Sequence, residues 1–322
     1  MKKKLIVICG PTASGKSALA LAIAQKFDGE IISCDSMQIY KKMDIGTAKP
    51  TPEELASVPH HMVDLLDPFA DNCSCVSFAD TAKKCIDAVI MKNRVPILCG
   101  GTGLYIDAVI SDTEFSDTHT DEDYRASLFA LAAERGNSYI YDMLCKCDPE
   151  SAAAMHENNL KRVIRALEIY HSTGITKSEW DKRSHNTPSA YEASVITLDF
   201  KDREKLYERI NSRVDLMLES GLLEEARRLY DSGLNTANTT AAQAIGYKEL
   251  FEYFDGGLTL DEAVEKLKRE SRRYAKRQNT WFKRNRDAYR IYVDEADSFK
   301  NIVNNTVDHL TECGFCAIIH EK

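Results

Sequence analysis

Gly10-Pro11-Thr12-Ala13-Ser14-Gly15-Lys16-Ser17 fits the phosphate-binding pattern G-x-x-x-x-G-K-[ST]. Its glycines let the backbone come close to an anion and expose N–H groups to it. Lys16 brings a full charge to the terminal phosphate, the Ser17 hydroxyl is placed to ligate Mg²⁺, and a helix starting here adds partial positive charge. The chemistry is that of a di- or triphosphate held by its anionic end. Two other stretches offer groups to the same ligand. Asp35, in Asp35-Ser36-Met37-Gln38, could hold Mg²⁺ through water, accept a proton or cap a helix. Thr102, in Gly100-Gly101-Thr102-Gly103, offers a hydroxyl on a second glycine-rich turn. His60 and His61 raise the question of a metal, but neighbours in sequence rarely face one ligand.

These groups need elements to position them. Leu5 to Ile8 is apolar and mostly β-branched, which predicts a buried strand leading into the phosphate loop, and Ala18 to Phe27 predicts the helix that leaves it. Glu30 to Cys34 predicts a second strand. If parallel to the first, it delivers Asp35 to the same sheet edge, where open α/β sheets bind ligands. Lys41 to Pro68 is expected to be a long loop. A helix over Phe78–Met91 and a strand over Val95–Cys99 follow, ending in the second glycine turn. Between Thr113 and Pro188 the strand–helix rhythm stops, and helices are expected over 121–135, 138–147, 149–156 and 160–173. Val195–Leu198 resumes the strand pattern. Helices over 203–220, 222–232, 248–253 and 260–281 and a closing strand over Arg290–Val293 complete the reading. The expected fold is α/β: a P-loop NTPase-like core with a mostly parallel sheet, built from residues 1–115 and 195–322, with a helical insertion domain over 116–194.

Composition narrows the partners. No run of 18 apolar residues exists to span a membrane. The apolar run after the basic N-terminus stops at Gly10 with no cleavage signal, so a retained first strand and a cytoplasmic protein with reduced thiols are expected. Cys313, Cys316 and His320 resemble half a zinc site, without a second ligand pair nearby. The net charge of −8 argues against general nucleic-acid binding. Its distribution argues otherwise: Lys266 to Arg290 holds eleven Lys/Arg against two acidic residues. One basic stretch on an acidic chain suits a polyanion held at one place, and the Trp and Tyr within it suit base stacking.

Taken together, the segments GPTASGKS (Gly10–Ser17), DSMQIY (Asp35–Tyr40), GTAKP (Gly46–Pro50), His60-His61, GGTGLY (Gly100–Tyr105), KRVIRALE (Lys161–Glu168), AIGYKE (Ala244–Glu249) and AKRQNTWF (Ala275–Phe282) resemble the bacterial tRNA dimethylallyltransferases over nearly the whole chain. Glu157 departs from the proline common there after His156, in a loop. The resemblance implies transfer of a dimethylallyl group from dimethylallyl diphosphate to the exocyclic amine of the adenine 3′ of the anticodon, with Mg²⁺ as cofactor. Gly10, Pro11, Thr12, Ala13, Ser14, Gly15, Lys16 and Ser17 would then hold the departing pyrophosphate. Arg213 would clamp it, with Arg209 the less favoured choice. Asp35 would take the amine's proton, with Thr102 as the second catalytic-site position. The anticodon stem-loop would be held by Asp35, Ser36, Met37, Gln38, Thr102, Arg125, Lys161, Arg162, Arg165, Gln243, Gly246, Tyr247, Lys248, Lys276, Arg277, Gln278, Trp281 and Lys283. A monomer is expected. Two other uses of the same loop are an adenylate isopentenyltransferase and a P-loop nucleotide kinase, neither of which needs the basic stretch.

Overall fold

The computed structural model describes residues 2–111, 121–186 and 189–316. The chain divides into two compact units, Met1–Val109 with Tyr191–Lys322, and Ile110–Ala190.

In the first unit the chain runs β1 (Lys3–Cys9), α1 (Lys16–Phe27), β2 (Gly29–Ser33), α2 (Pro52–Ser57), β3 (His60–His61), α3 (Cys75–Met91), β4 (Val95–Gly100) and α4 (Gly103–Ile110). The second unit holds α5 (Glu122–Arg135), α6 (Asn137–Cys147), α7 (Pro149–Ala153), α8 (Leu160–Thr173) and α9 (Lys177–Asn186). The first unit resumes with β5 (Tyr191–Asp199), α10 (Arg203–Glu219), α11 (Leu222–Asp231), α12 (Lys248–Phe254), α13 (Leu260–Phe282), β6 (Tyr289–Tyr292) and α14 (Phe299–Glu312).

The six strands form one sheet in the order β3-β2-β4-β1-β5-β6, and every pairing is parallel. Such a sheet is covered on both faces, which is why β1, after the exposed Lys3 and Lys4, is apolar and buried from Leu5 to Cys9. Helix α1 packs its Leu19, Ile23 and Phe27 against Ile6, Ile8, Ile196 and Leu198. Register levels the strand ends: Cys9 pairs with Gly100 and with Thr197, and Ser33 pairs with Cys99. Gly10, Cys34 and Gly101, the residues that follow β1, β2 and β4, therefore emerge at one edge. The second unit has its own core, with Leu128, Ile140, Leu144, Val163, Ile164 and Leu167 buried together.

Four details differ from the sequence reading. Lys41–Pro68 is not all loop. Thr51 and Glu54 form a reciprocal cap with Pro52 in the first turn, which starts α2, and the two histidines form β3 against β2. His60 and His61 are spent on structure: His60 Nδ1 lies 2.8 Å from the Val58 carbonyl, and His61 Nε2 lies 2.7 Å from Glu30. Helix α9 escaped notice because its polar sequence has no apolar period. Helix α14 follows a Ser298 cap and buries Ile302, Val303, Thr306 and Leu310. Of the possible zinc ligands, Cys316 is exposed and His320 lies outside the described residues, as does the expected domain boundary at 115/116.

Glu30 is 1% exposed and meets His61, Lys92 and Arg94 at 2.7–3.1 Å. Burial alone would raise its carboxyl, but the hydrogen bonds from these three partners hold it below the ordinary carboxylate value. A lowered folded value gives stability that is present at neutral pH and lost as pH falls through that value. Glu30→Gln should therefore cost about 2 kcal/mol at pH 7. The gap to the unaltered protein should narrow under acid. Denaturant unfolding at neutral and acidic pH measures both.

Candidate functional site

The phosphate loop leaves β1 through Gly10, at φ 150°. A Cβ there would stand 2.6 Å from the Leu198 carbonyl oxygen, so only glycine lets the loop pass this close to β5. Ala13 and Gly15 both have left-handed backbone angles, which turn N–H groups toward a concave side before α1 begins. The Ser14 hydroxyl is buried with no protein partner. Ser17 is exposed in the first turn of α1 and lines the cleft below.

That cleft has a volume of about 360 Å³ and opens at the carboxyl edge of the sheet. Lys16 and Arg213 both line it. Lys16 Nζ donates only to the Pro11 carbonyl, at 3.3 Å, and neither cation is in an ion pair among the described residues. Burial and then the Arg213 charge push the Lys16 ammonium below its ordinary value, and burial pulls Arg213 down as well. Two desolvated cations without a counterion make a site for an anion. Arg209, one turn before Arg213 on α10, is used differently: its Nε donates to the Ala13 carbonyl at 2.9 Å and braces the loop.

Asp35 also lines the cleft. Its Oδ1 accepts from the Met37 N–H at 2.9 Å and the Gln38 N–H at 3.4 Å, a turn-forming role, while Oδ2 has no donor among the described residues. Thr102 Oγ1 accepts from the Ser36 N–H at 3.2 Å, tying the second glycine turn to the Asp35 turn. Gln38 is consumed internally. Its Oε1 accepts from Ser33 Oγ at 2.7 Å, and its Nε2 donates to the carbonyls of Thr47 and Ala48. The cleft is also lined by the apolar side chains of Leu21, Ile31, Ile210, Val214, Met217 and Leu267.

Among the other residues expected to contact RNA, Gln243, Gly246, Lys248 and Arg277 line the cleft, and Lys276 and Lys283 are exposed on or next to α13. Tyr247 is fully buried and donates to Glu225 Oε1 at 2.7 Å, so in this conformation it offers RNA nothing. Trp281 donates to Asp107 at 2.9 Å and has the Arg284 guanidinium 4.5 Å from its ring centroid. In the second unit Lys161 and Arg162 are exposed. Arg125 and Arg165 instead pair with Glu168, which is fully buried, at 2.7 and 2.9 Å. The basic face of α8 is therefore narrower than its spacing implied.

Two positioning residues, Glu225 and Tyr274, were not named from the sequence, and a third, Gln278, was expected to contact RNA instead. Glu225 on α11 accepts the N–H groups of Asp44, Ile45 and Gly46 at 3.0–3.1 Å and so fixes the GTAKP loop. Tyr274 lines the cleft, and burial, then the Asp35 charge, raises its hydroxyl to about 12, so it stays a neutral donor. Gln278 is 5% exposed and bonds to both glycine loops. Glu225 lies about 180 residues from its partners and had no local signal, whereas Tyr274 and Gln278 sat inside a motif read as RNA-facing.

Comparison with known proteins gives a consistent picture. A family model described as IPP transferase matches residues 38–285. The chain is 53% identical over 283 residues to a tRNA dimethylallyltransferase of Geobacillus thermodenitrificans, covering 88% of each chain. It is 47% identical over 310 residues to one of Acetivibrio thermocellus, covering 96% of this chain and 98% of that one. Among solved structures, a full-length tRNA isopentenylpyrophosphate transferase from Bacillus halodurans matches with a TM-score of 0.72 and 44% identity, over 97% of this chain and 96% of that one. A eukaryotic dimethylallyltransferase acting on tRNA matches with a TM-score of 0.80 and 28% identity, over 99% of this chain and 81% of that one.

Pyrophosphate should bind this cleft in calorimetric titration, and Lys16→Ala or Arg213→Ala should each weaken binding on the order of a hundredfold. Because Lys16 is held below the ordinary lysine value of 10.5, affinity should decline on the alkaline side before that value is reached. Lys16→Arg should move the decline to higher pH. A pH series with each variant measures the shift.

Proposed function

The chain belongs to the IPP transferase family, and on that premise we propose that it transfers a dimethylallyl group from dimethylallyl diphosphate to the exocyclic amine of the adenine 3′ of a tRNA anticodon, releasing pyrophosphate. The observation that carries this reading is what the cleft brings together. Two cations in no ion pair among the described residues, a carboxylate and six apolar side chains line the same space. An amphiphilic diphosphate suits the cations and the apolar walls, and an amine that loses a proton as it is alkylated suits the carboxylate.

In this mechanism the bond between the allylic carbon and the diphosphate oxygen breaks with its electron pair going to oxygen. Loop N–H groups, Lys16 and Arg213 stabilise the charge that develops there. The adenine nitrogen forms the new bond to the allylic carbon. Its lone pair is delocalised into the ring, and Asp35 Oδ2 accepts its proton as the bond forms. The Asp35 turn, held by the Ser36 to Thr102 contact, fixes where that oxygen sits. A Mg²⁺ ion fits the donor set modestly. Ser17 supplies one exposed hydroxyl, and Asp199, the carboxylate ending β5, is buried and paired with Arg290 at 3.0 Å, so diphosphate oxygens and water would complete the shell. When bound, the ion would neutralise diphosphate charge.

The acceptor adenine must leave its stack to reach this cleft, at a cost of about a few kcal/mol. Contacts elsewhere on the RNA supply that energy. Lys276, Arg277 and Lys283 are the proposed phosphate contacts in the first unit, and Lys161 and Arg162 in the second. We take the working form to be a monomer in the cytoplasm. No helix among the described residues is long and apolar enough to cross a membrane.

Incubation with labelled dimethylallyl diphosphate, Mg²⁺ and either unmodified tRNA or AMP should place label in tRNA alone. Label in AMP, or phosphate transfer from ATP, would overturn the reading. Asp35→Ala should slow transfer by about 10²- to 10⁴-fold while filter binding shows nearly unchanged affinity for tRNA. That affinity should fall steeply with salt.

A further inference from the structure

Gln278 lies on α13 among residues that face outward, yet its side chain is buried and spent on backbone. Oε1 accepts from the Thr12 N–H at 2.8 Å, and Nε2 donates to the Gly101 carbonyl at 2.9 Å. The orientation of the amide is fixed by its partners, since an N–H requires an acceptor and a carbonyl requires a donor. No carboxylate could serve both at neutral pH, and no shorter side chain could reach both. Gly101 completes the fit from the other side. A Cβ there would lie 2.2 Å from Gln278 Nε2, and the next backbone atom, the Gly10 carbonyl oxygen, is an ordinary 3.6 Å away. The missing side chain of Gly101 is the space that the amide fills.

We infer that Gln278 is a positioning residue that locks the phosphate loop to the second glycine turn, rather than a contact to RNA. The bond to Thr12 withdraws one loop N–H from any anion, so its effect is on the shape of the loop that carries Lys16. The bond to Gly101 sets the turn that carries Thr102, and Thr102 in turn holds the Asp35 turn through Ser36. One side chain thereby links the loop that carries Lys16 to the turn that carries Asp35. Lys276 and Arg277, the two preceding residues, are exposed on the same helix. The helix proposed to grip RNA on its outer face thus sets donor geometry on its inner face. This assignment takes its account of what the two ends hold from the proposed prenyl transfer.

The test is a double-mutant cycle with Gln278→Ala and Gly101→Ala. Each single change should weaken pyrophosphate binding about tenfold, the loss expected when a buried hydrogen-bond pair is broken. Each should also lower kcat for transfer, with tRNA affinity unchanged. The double variant should be no weaker than Gln278→Ala alone, because without the amide the methyl group introduced by Gly101→Ala has nothing to displace. Additive losses would overturn the inference. So would Gln278→Ala weakening tRNA binding while pyrophosphate binding holds, or any result in which both affinities hold. Gly101→Ala meets only the far end of a flexible side chain and tests the same lock if Gln278→Ala fails to fold. Pyrophosphate titration needs no turnover, so a chain that failed to modify tRNA would sink the proposed reaction and leave this test standing.

Discussion

Lys16 and Arg213 are two partly buried cations that form no ion pair among the described residues, with the Asp35 charge acting on both through space, and much of the first unit is arranged around them. Desolvated like charges side by side are unfavourable, and the unliganded protein holds them together only because each is anchored on a rigid element. Lys16 sits at the start of α1, whose apolar face is fixed in the core against β1, and Arg213 sits on α10, whose Leu206, Ile210 and Val214 are buried. The electrostatic strain is relieved by an anionic ligand. In the proposed reaction this would favour binding of the diphosphate and stabilise the pyrophosphate that leaves, since the charge on the departing group grows as the bond breaks.

The carboxylates of the first unit show the complementary arrangement. Glu30, Asp199 and Glu225 are buried and fully engaged, with His61, Lys92 and Arg94, with Arg290, and with three backbone amides plus Tyr247. Among the described residues two acidic side chains line the cleft, and Glu54 uses its own to cap α2. Under the proposed reaction Asp35 Oδ2 is then the oxygen that takes the proton, because a carboxylate oxygen without a competing donor is free to do so.

Much of this was legible in the sequence where the signal is local. Gly10–Ser17 between an apolar run and an alanine-rich helix gave strand, loop and helix together, and β2 brought Asp35 to the same edge because parallel strands end on one side. Legibility failed where the determinant was distant or where two roles share a helix. Glu225 reaches across about 180 residues to the GTAKP loop, and nothing near it announces the contact. Helix α13 is basic enough to read as wholly RNA-facing, yet Leu267, Ala275, Gln278 and Phe282 form its buried side. The two-residue strand β3 is too short to show a period; the adjacency of its histidines argued against a shared metal but did not reveal their use as hydrogen-bonding edge residues.

The position of Gln278 has a consequence for how the two substrates are coordinated. Its two partners are backbone atoms, so no side-chain change within either loop can reproduce the bridge; only a neutral amide of this length, projected from α13, satisfies an N–H and a carbonyl at once. The donor site is therefore not self-contained within its glycine loop. The phosphate loop takes part of its shape from a helix that exposes Arg269, Arg273, Lys276 and Arg277. Under the proposed reaction, the element that meets RNA is therefore also one that shapes the loop meeting the diphosphate.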